Sequence, residues 1–316
     1  MKGRRKRLWI ERDEHRWIVS QGSDVPEQPP AFCLPIDKVG IESNLVWVNL
    51  PQGRLPFDAS ISFSLPGSYR GIHMSRIEEA LTSTFRRSFS SLKEYARALA
   101  ADALKAQRGR RVYITLSGEI PLVRTTQVSR RESVESLKVF LDLTWSQTEA
   151  PAPDEIEEKL VLGIEVEHMT ACPCTQAYHQ AYLDGMDSNK LPLPTHSQRT
   201  ITRLYIEDRL DMLGFTDLLL PADRALHLIQ GLLKRPDEAE LVLSAHKQPH
   251  FVEDVVRELA AAAADELAGK VHSDALMRIQ SVSIESIHTH NVAARLEMSF
   301  GEIAKRLDKT QKATAS

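Results

Sequence analysis

The stretch that most limits how this chain can fold is residues 147–158, Gln-Thr-Glu-Ala-Pro-Ala-Pro-Asp-Glu-Ile-Glu-Glu. It is acidic, carries two prolines and has no apolar stripe, which marks a boundary between structured parts. The same order of elements is read on either side of it. Before it, the later half of Asp37–Pro51 suits a strand, and Ala59-Ser-Ile-Ser-Phe-Ser-Leu65 alternates small polar with apolar residues, as a half-buried strand does. Ser75 and Glu78 form a capping box for a helix bearing Ile77, Ala80, Leu81, Phe85 and Phe89, which breaks near Ser90-Ser91 and runs to about Ala106. Strands at 111–116 and 136–145 follow. After the boundary come strands 159–169 and 200–207, then a helix from Pro221 to Lys234, with proline near its start. A second helix runs from about Val252 to Ala268, stopped by Gly269, and strands near 275–285 and 293–300 close the half.

Both halves therefore read β-β-α-α-β-β, an α+β class with antiparallel sheet and helices on one face. The duplication is one of pattern, not of residue identity. It divides the chain into an N-terminal arm 1–34, a first unit 35–150, a second unit 151–301 holding most candidate site residues, and a solvated tail 302–316. At 316 residues, the chain has room for two compact modules or one large domain.

Composition narrows the function classes. The net charge of −3 gives no bulk drive towards nucleic acid or an anionic membrane. Three cysteines, an odd number in a chain this long, argue for a reducing compartment rather than a disulfide framework. The basic start (Lys2, Arg4, Arg5, Lys6, Arg7) has no apolar run after it, so a signal peptide is not expected, and no segment is long enough to span a bilayer. The expectation is a cytoplasmic protein.

Chemistry concentrates at the end of strand 159–169. Cys172 and Cys174 flank Pro173, and His196 returns beyond a polar insert. Two cysteines on alternate faces of an extended backbone diverge, so a disulfide between them is disfavoured, whereas one thiolate can meet a metal and the other stay free for proton transfer. The plain alternative is a kinked loop with one buried thiol. Glu238 follows Pro236, and Glu253 lies in the first turn of a helix whose dipole favours an anion there. Glu285 and His288 stand in a His-rich link between strands. Their spacing puts them on opposite faces unless a bulge intervenes. Cysteine, histidine and carboxylate suit a divalent transition metal, and three protein ligands leave a position for water, which argues for metal-assisted hydrolysis. Arg70, His73 and Arg76 form a cluster that either binds phosphate or is a solvated loop leading into a helix.

Taken together, Arg70-Gly-Ile-His-Met-Ser-Arg76, Cys172-Pro-Cys174, Thr195-His-Ser-Gln-Arg199, Gly231-Leu-Leu-Lys-Arg-Pro-Asp-Glu238, Phe251-Val-Glu-Asp254 and Glu285-Ser-Ile-His288 resemble the type IB GTP cyclohydrolases, from about Lys38 to Ser299. The resemblance implies the tunnelling fold, with two β-β-α-α-β-β units per chain and homotetrameric assembly. It implies hydrolysis of GTP at C8 with loss of formate, giving 7,8-dihydroneopterin triphosphate for folate and pterin synthesis. Carried over by motif, Cys172, His196 and Glu238 would hold one metal per subunit (Mn, Fe or Zn). Glu253 would anchor guanine through N1–H and the 2-amino group. Cys174 and His288 would move protons with Glu285 beside them, and Arg70, His73 and Arg76 would bind the triphosphate.

The segment 178–193 departs from most bacterial members. A longer insert here resembles the archaeal branch, which makes 7,8-dihydroneopterin 2′,3′-cyclic phosphate with ferrous iron. Two rivals differ in class. A non-catalytic purine- or pterin-binding module of the same fold would not need the intact set Cys172, Cys174, His196, Glu253 and His288. A nitrile reductase of the queuosine pathway needs one nucleophilic cysteine and no metal.

Overall fold

Alternation of apolar and polar residues decides which face of an antiparallel strand is buried. In the computed structural model, which describes residues 9–107, 109–147, 156–183, 192–231 and 233–314, strand after strand obeys this rule. β1 (Ile36–Leu50) and β2 (Gly53–Leu65) form a hairpin, and β2 buries Phe57, Ala59, Ile61, Phe63 and Leu65. Gly53 opens β2 at φ 129°, a conformation that a side chain would strain. β3 (Arg111–Thr125) buries Val112, Ile114 and Leu116, and β4 (Glu132–Gln147) buries Leu137, Val139, Leu141 and Leu143. All of these side chains but Leu65 share one apolar core with α2 (Met74–Phe85) and α3 (Leu92–Ala106). The break expected at Ser90-Ser91 is real. Ser91 accepts from Glu94 N (3.2 Å), and the Glu94 carboxylate accepts from Ser90 N and Oγ (both 2.7 Å), so after α2 stops at Phe85 the serines cap the next helix. The expected cap at Ser75 is displaced. His73 holds the N-cap position of α2 without a side-chain cap.

The second half continues with β5 (Ile156–Ala171), α4 (Pro173–Tyr182), β6 (Ser197–Glu207), α5 (Phe215–Ala225), the short β7 (His227–Leu228), α6 (Arg235–Lys247), α7 (Val252–Glu266), β8 (Leu276–Ile284), β9 (Val292–Ser299) and α8 (Phe300–Thr314). This corrects the expected tunnelling fold of two β-β-α-α-β-β units. Among the described residues the chain forms one nine-stranded antiparallel sheet in the order β1-β2-β3-β4-β5-β6-β8-β9, with β7 paired to β5. β4 and β5 pair from Lys138 opposite Glu165 to Gln147 opposite Ile156, so hydrogen bonding runs unbroken between the halves. The second half is also not a copy of the first, because α4 interrupts β5 and β6, and β7 and α6 interrupt α5 and α7. Most of the boundary segment, 148–155, lies outside the described residues.

Two further expectations change. The helix placed at 221–234 instead begins at Phe215. Asp217 accepts from Gly214 N (2.7 Å), which fixes the start ahead of Pro221 and puts that proline inside the helix. Leu226–Ile229 then leaves the helix to pair with β5, where Leu228 opposes His168 and Ile229 N donates to Glu167 O (3.1 Å). The tail becomes α8, with Phe300 and Ile303 buried and Leu307 packed on the core. That spacing is the apolar stripe of a packed helix. Within the arm, α1 (Arg12–Gln21) buries nothing, and a 3-10 turn at Val25–Glu27 lies against the start of the α2 region. No helix among the described residues is long and apolar enough to cross a membrane.

Candidate active site

β5 ends at Ala171, and Cys172 stands in extended conformation (φ −80°, ψ 119°) as the N-cap residue of α4, with Pro173 following at a position that needs no N–H. Cys172 N donates to His196 O (3.0 Å), and Thr195 Oγ1 donates to Cys172 O (2.6 Å). These two bonds tie the strand end to the returning loop, so residues far apart in sequence become neighbours. Cys172 is half-buried, and Thr175 Oγ1 donates to its Sγ at 3.8 Å. Cys174 is exposed in the first turn of α4.

His196 is oriented from the side. Its Nδ1 lies 3.0 Å from Gln198 Oε1, which can only accept, so Nδ1 carries the proton and Nε2 presents a lone pair. Ser286 Oγ lies 3.4 Å from the same Nδ1. The link between β8 and β9 thereby reaches His196, and the His288 ring stands edge-on to it at 6.3 Å, stacked in turn on His290 at 5.3 Å. Glu285 does not join this group through a bulge. Its Oε1 accepts from Ser283 Oγ (2.8 Å), which turns it back along β8.

Glu238 lies exposed in the first turn of α6, on the wall of a cavity of about 680 Å³ that Thr195, Arg235 and His246 also line. Gln176 Nε2 donates to His246 O (2.7 Å) and to Leu193 O (3.4 Å), which holds α4, the 192–196 loop and α6 together. Cys172 and His196 are thus adjacent, and Glu238 shares a cavity wall with Thr195, the residue before His196, but the three ligand atoms are not all within 4.8 Å of one another. The soft thiolate, the imidazole lone pair and the carboxylate fit a divalent transition metal by donor chemistry.

The remaining predicted residues sit elsewhere. Glu253 is exposed in the first turn of α7, whose capping contact comes from Asp254, which accepts from Phe251 N (3.2 Å). Arg70, His73 and Arg76 gather at the start of α2, but each faces the arm. Arg70 Nη1 donates to Gln28 Oε1 (3.3 Å), His73 Nε2 lies 3.6 Å from Asp24 and 3.7 Å from Glu27, and Arg76 Nη2 lies 3.8 Å from Asp24.

Sequence reasoning missed two groups. Asp237, next to Glu238, is buried and accepts from Val128 N (3.0 Å), Ser129 N (2.9 Å), Ser129 Oγ (2.5 Å) and Lys234 N (3.0 Å). Burial would raise its pKa, but these bonds to the carboxylate, from Ser129 above all, hold it well below the usual range. Asp237 pins the β3–β4 turn to α6, and its place three residues after Lys234 at a helix start was the available sign. His168, on β5, is buried, with Nε2 2.8 Å from Thr202 Oγ1 on β6, which continues to Ser281 Oγ on β8 at 2.8 Å. Burial pushes its pKa down to about 3, and nearby His227 and His250, stacked at 6.1 Å, push the same way.

A half-buried cysteine is held beside an oriented histidine at the end of a strand of an antiparallel α+β sheet. The sequence assigns the family. Residues 23–294 match the family described as "Type I GTP cyclohydrolase folE2", and the chain belongs to it. Among relatives, GTP cyclohydrolase MptA of Thermoplasma volcanium is 29% identical over 297 residues, covering 90% of this chain and 98% of its own. GTP cyclohydrolase MptA of Methanoregula boonei is 31% identical over 317 residues, covering 90% and 94%. Solved structures of uricase resemble the chain more distantly. That from Arthrobacter globiformis has a TM-score of 0.47 at 8% identity, covering 84% of this chain and 93% of its own, and that from Bacillus fastidious has 0.49 at 6%, covering 85% and 95%. The chain is an enzyme of the GTP cyclohydrolase class.

Proposed function

We propose that this chain, as a type IB member of its family, hydrolyses GTP at C8 and releases formate, giving 7,8-dihydroneopterin triphosphate. The observation that carries this reading is the pairing of Cys172 with His196 across the end of β5, with His196 Nδ1 held by Gln198 so that Nε2 is available. An orienting partner on the second ring nitrogen is a usual accompaniment of ligating histidines. Cys172, His196 and Glu238 would hold one divalent transition metal, Mn, Fe or Zn, per chain. When bound, such a metal lowers the pKa of its water to about 7 and so supplies hydroxide at neutral pH.

The chain's own groups do the rest. Exposed Cys174 and His288 can exchange protons with the opening imidazole ring, and Glu285, just past the end of β8, would support them by turning away from Ser283. Glu253 offers two acceptor oxygens to guanine N1–H and the 2-amino group, a match that adenine does not present. Arg70 and Arg76 can pair with phosphate oxygens bidentately, while His73, between them in sequence, turns its ring to Asp24 and Glu27. The expected assembly is a homotetramer, which light scattering tests.

A second product reading rests on the 178–193 segment. Part of it extends α4, and Pro192 and Leu193 line the cavity beside Glu238, so it is positioned to shape the pocket; residues 184–191 lie outside the described residues. In that reading the same ring opening ends in the 2′,3′-cyclic phosphate. Incubation with GTP and Mn²⁺ or Fe²⁺, with formate measured and the pterin identified by mass, separates the two. Absence of formate under both metals refutes ring opening altogether.

A further inference from the structure

Asp24 and Glu27 belong to the arm, on either side of Pro26 in the 3-10 turn Val25–Glu27. In such a turn, side chains three apart eclipse, so both carboxylates face the same way. The turn is anchored to the body, since Pro26 O accepts from Arg70 N (3.0 Å) and Gly71 N (3.2 Å). His73 is anchored independently. Its N donates to Gln107 Oε1 (3.1 Å), and its O accepts from Gln107 Nε2 (2.8 Å). The result is a histidine side chain only 11% exposed, whose Nε2 is buried without a hydrogen-bond partner and points at the two carboxylates. An orphaned buried ring nitrogen costs free energy unless something meets it.

The spacing names what would meet it. His73 Nε2 lies 3.6 Å from Asp24 Oδ2 and 3.7 Å from Glu27 Oε1, too long for hydrogen bonds, and the three atoms lie within 4.8 Å of one another. A cation bonded at about 2.0–2.2 Å to ligands at tetrahedral angles needs them about 3.3–3.6 Å apart, so a small inward closure suffices. One imidazole and two carboxylates suit a first-row divalent ion, and the two negative charges balance it. Arg76, a competing cation at Asp24, stands 3.8 Å from it and is 36% exposed, so it forms a weak pair that an ion can displace.

We propose that Asp24, Glu27 and His73 form a second divalent transition-metal site, distinct from Cys172, His196 and Glu238, that staples the arm to the start of α2. The test strips the full-length protein with chelator, reloads it with Co²⁺, removes free ion and measures cobalt per chain together with the absorption spectrum. Two equivalents are expected, one with a thiolate-to-cobalt charge-transfer band and one without. His73→Gln should lose one equivalent and keep the band, whereas Cys172→Ser should lose the band and keep the other equivalent. If His73→Gln does not fold, the exposed-arm double variant Asp24→Asn, Glu27→Gln gives the same reading. A wild type that binds no cobalt, or binds it only with the thiolate band, overturns the proposal, as does full cobalt content in the arm variants. A single equivalent without the band, lost in those variants, sustains this site and instead refutes the Cys172 reading.

Discussion

Acid should unfold this enzyme through His168. The imidazole is 1% exposed, and burial lowers its pKa to about 3 from an ordinary value near 6.5. Because the folded value lies below the unfolded one, the unfolded chain takes up the proton first. The stabilisation is therefore fully present above about pH 6.5 and is lost as pH falls towards the folded value. Each pKa unit corresponds to about 1.4 kcal/mol, so the loss amounts to about 2 kcal/mol between pH 7 and pH 5 and about 4 kcal/mol by pH 3. Against a total stability of about 5–15 kcal/mol, that is a large share. The assay is urea unfolding at pH 7, 6 and 5 for the wild type and for His168→Gln, which keeps a polar group towards Thr202 but does not titrate. Carboxylates contribute equally to both, so the difference isolates the histidine. The variant should be less stable at pH 7 yet lose about 2 kcal/mol less on going to pH 5. Parallel pH dependence of the two proteins would refute the reasoning.

Other outcomes follow from the same coordinates. Cys172→Ala and His196→Ala should each lose formate release and the thiolate-bound metal while circular dichroism stays unchanged; turnover in either sinks the metal assignment. Glu253→Gln should weaken GTP binding at least several-fold, in line with about 1–3 kcal/mol for an unmatched buried donor, as calorimetry would read; equal affinity makes Glu253 a helix-end charge. Asp237→Asn should speed hydrogen exchange at the Val128 and Ser129 amides, which it now accepts from, and unchanged exchange would mean that other contacts hold the β3–β4 turn. Ile303→Ala should cost about 2–5 kcal/mol because the residue is buried in the core; a negligible change would mean that α8 is only loosely docked.

Much of this architecture was legible locally. The alternation around Ile61, the Ser90-Ser91 break and the Val252 helix all depend on residues within one or two turns of each other, and all appear. Signals equally local were overlooked. Gly214 with Asp217 outranked Pro221 as a helix start, and Phe300, Ile303 and Leu307 spelled a packed helix where a tail was expected. Adjacency of Cys172 and His196 followed from their motifs, yet the bonds that make it, Cys172 N to His196 O and Thr195 Oγ1 to Cys172 O, involve backbone groups that every sequence carries.

What the sequence by itself determined is the set of elements and the donor chemistry, because periodicity, caps and ligand types are properties of neighbouring residues. The tertiary structure alone decided that β4 would pair with β5 and merge two expected units into one sheet, because strand ends carry the same backbone donors and acceptors whatever their partner. It alone decided that a carboxylate pair in the arm would meet His73, and that His168 would lie buried under Thr202 and Ser281. Those encounters bring together residues tens of positions apart, which neither segment shows in isolation.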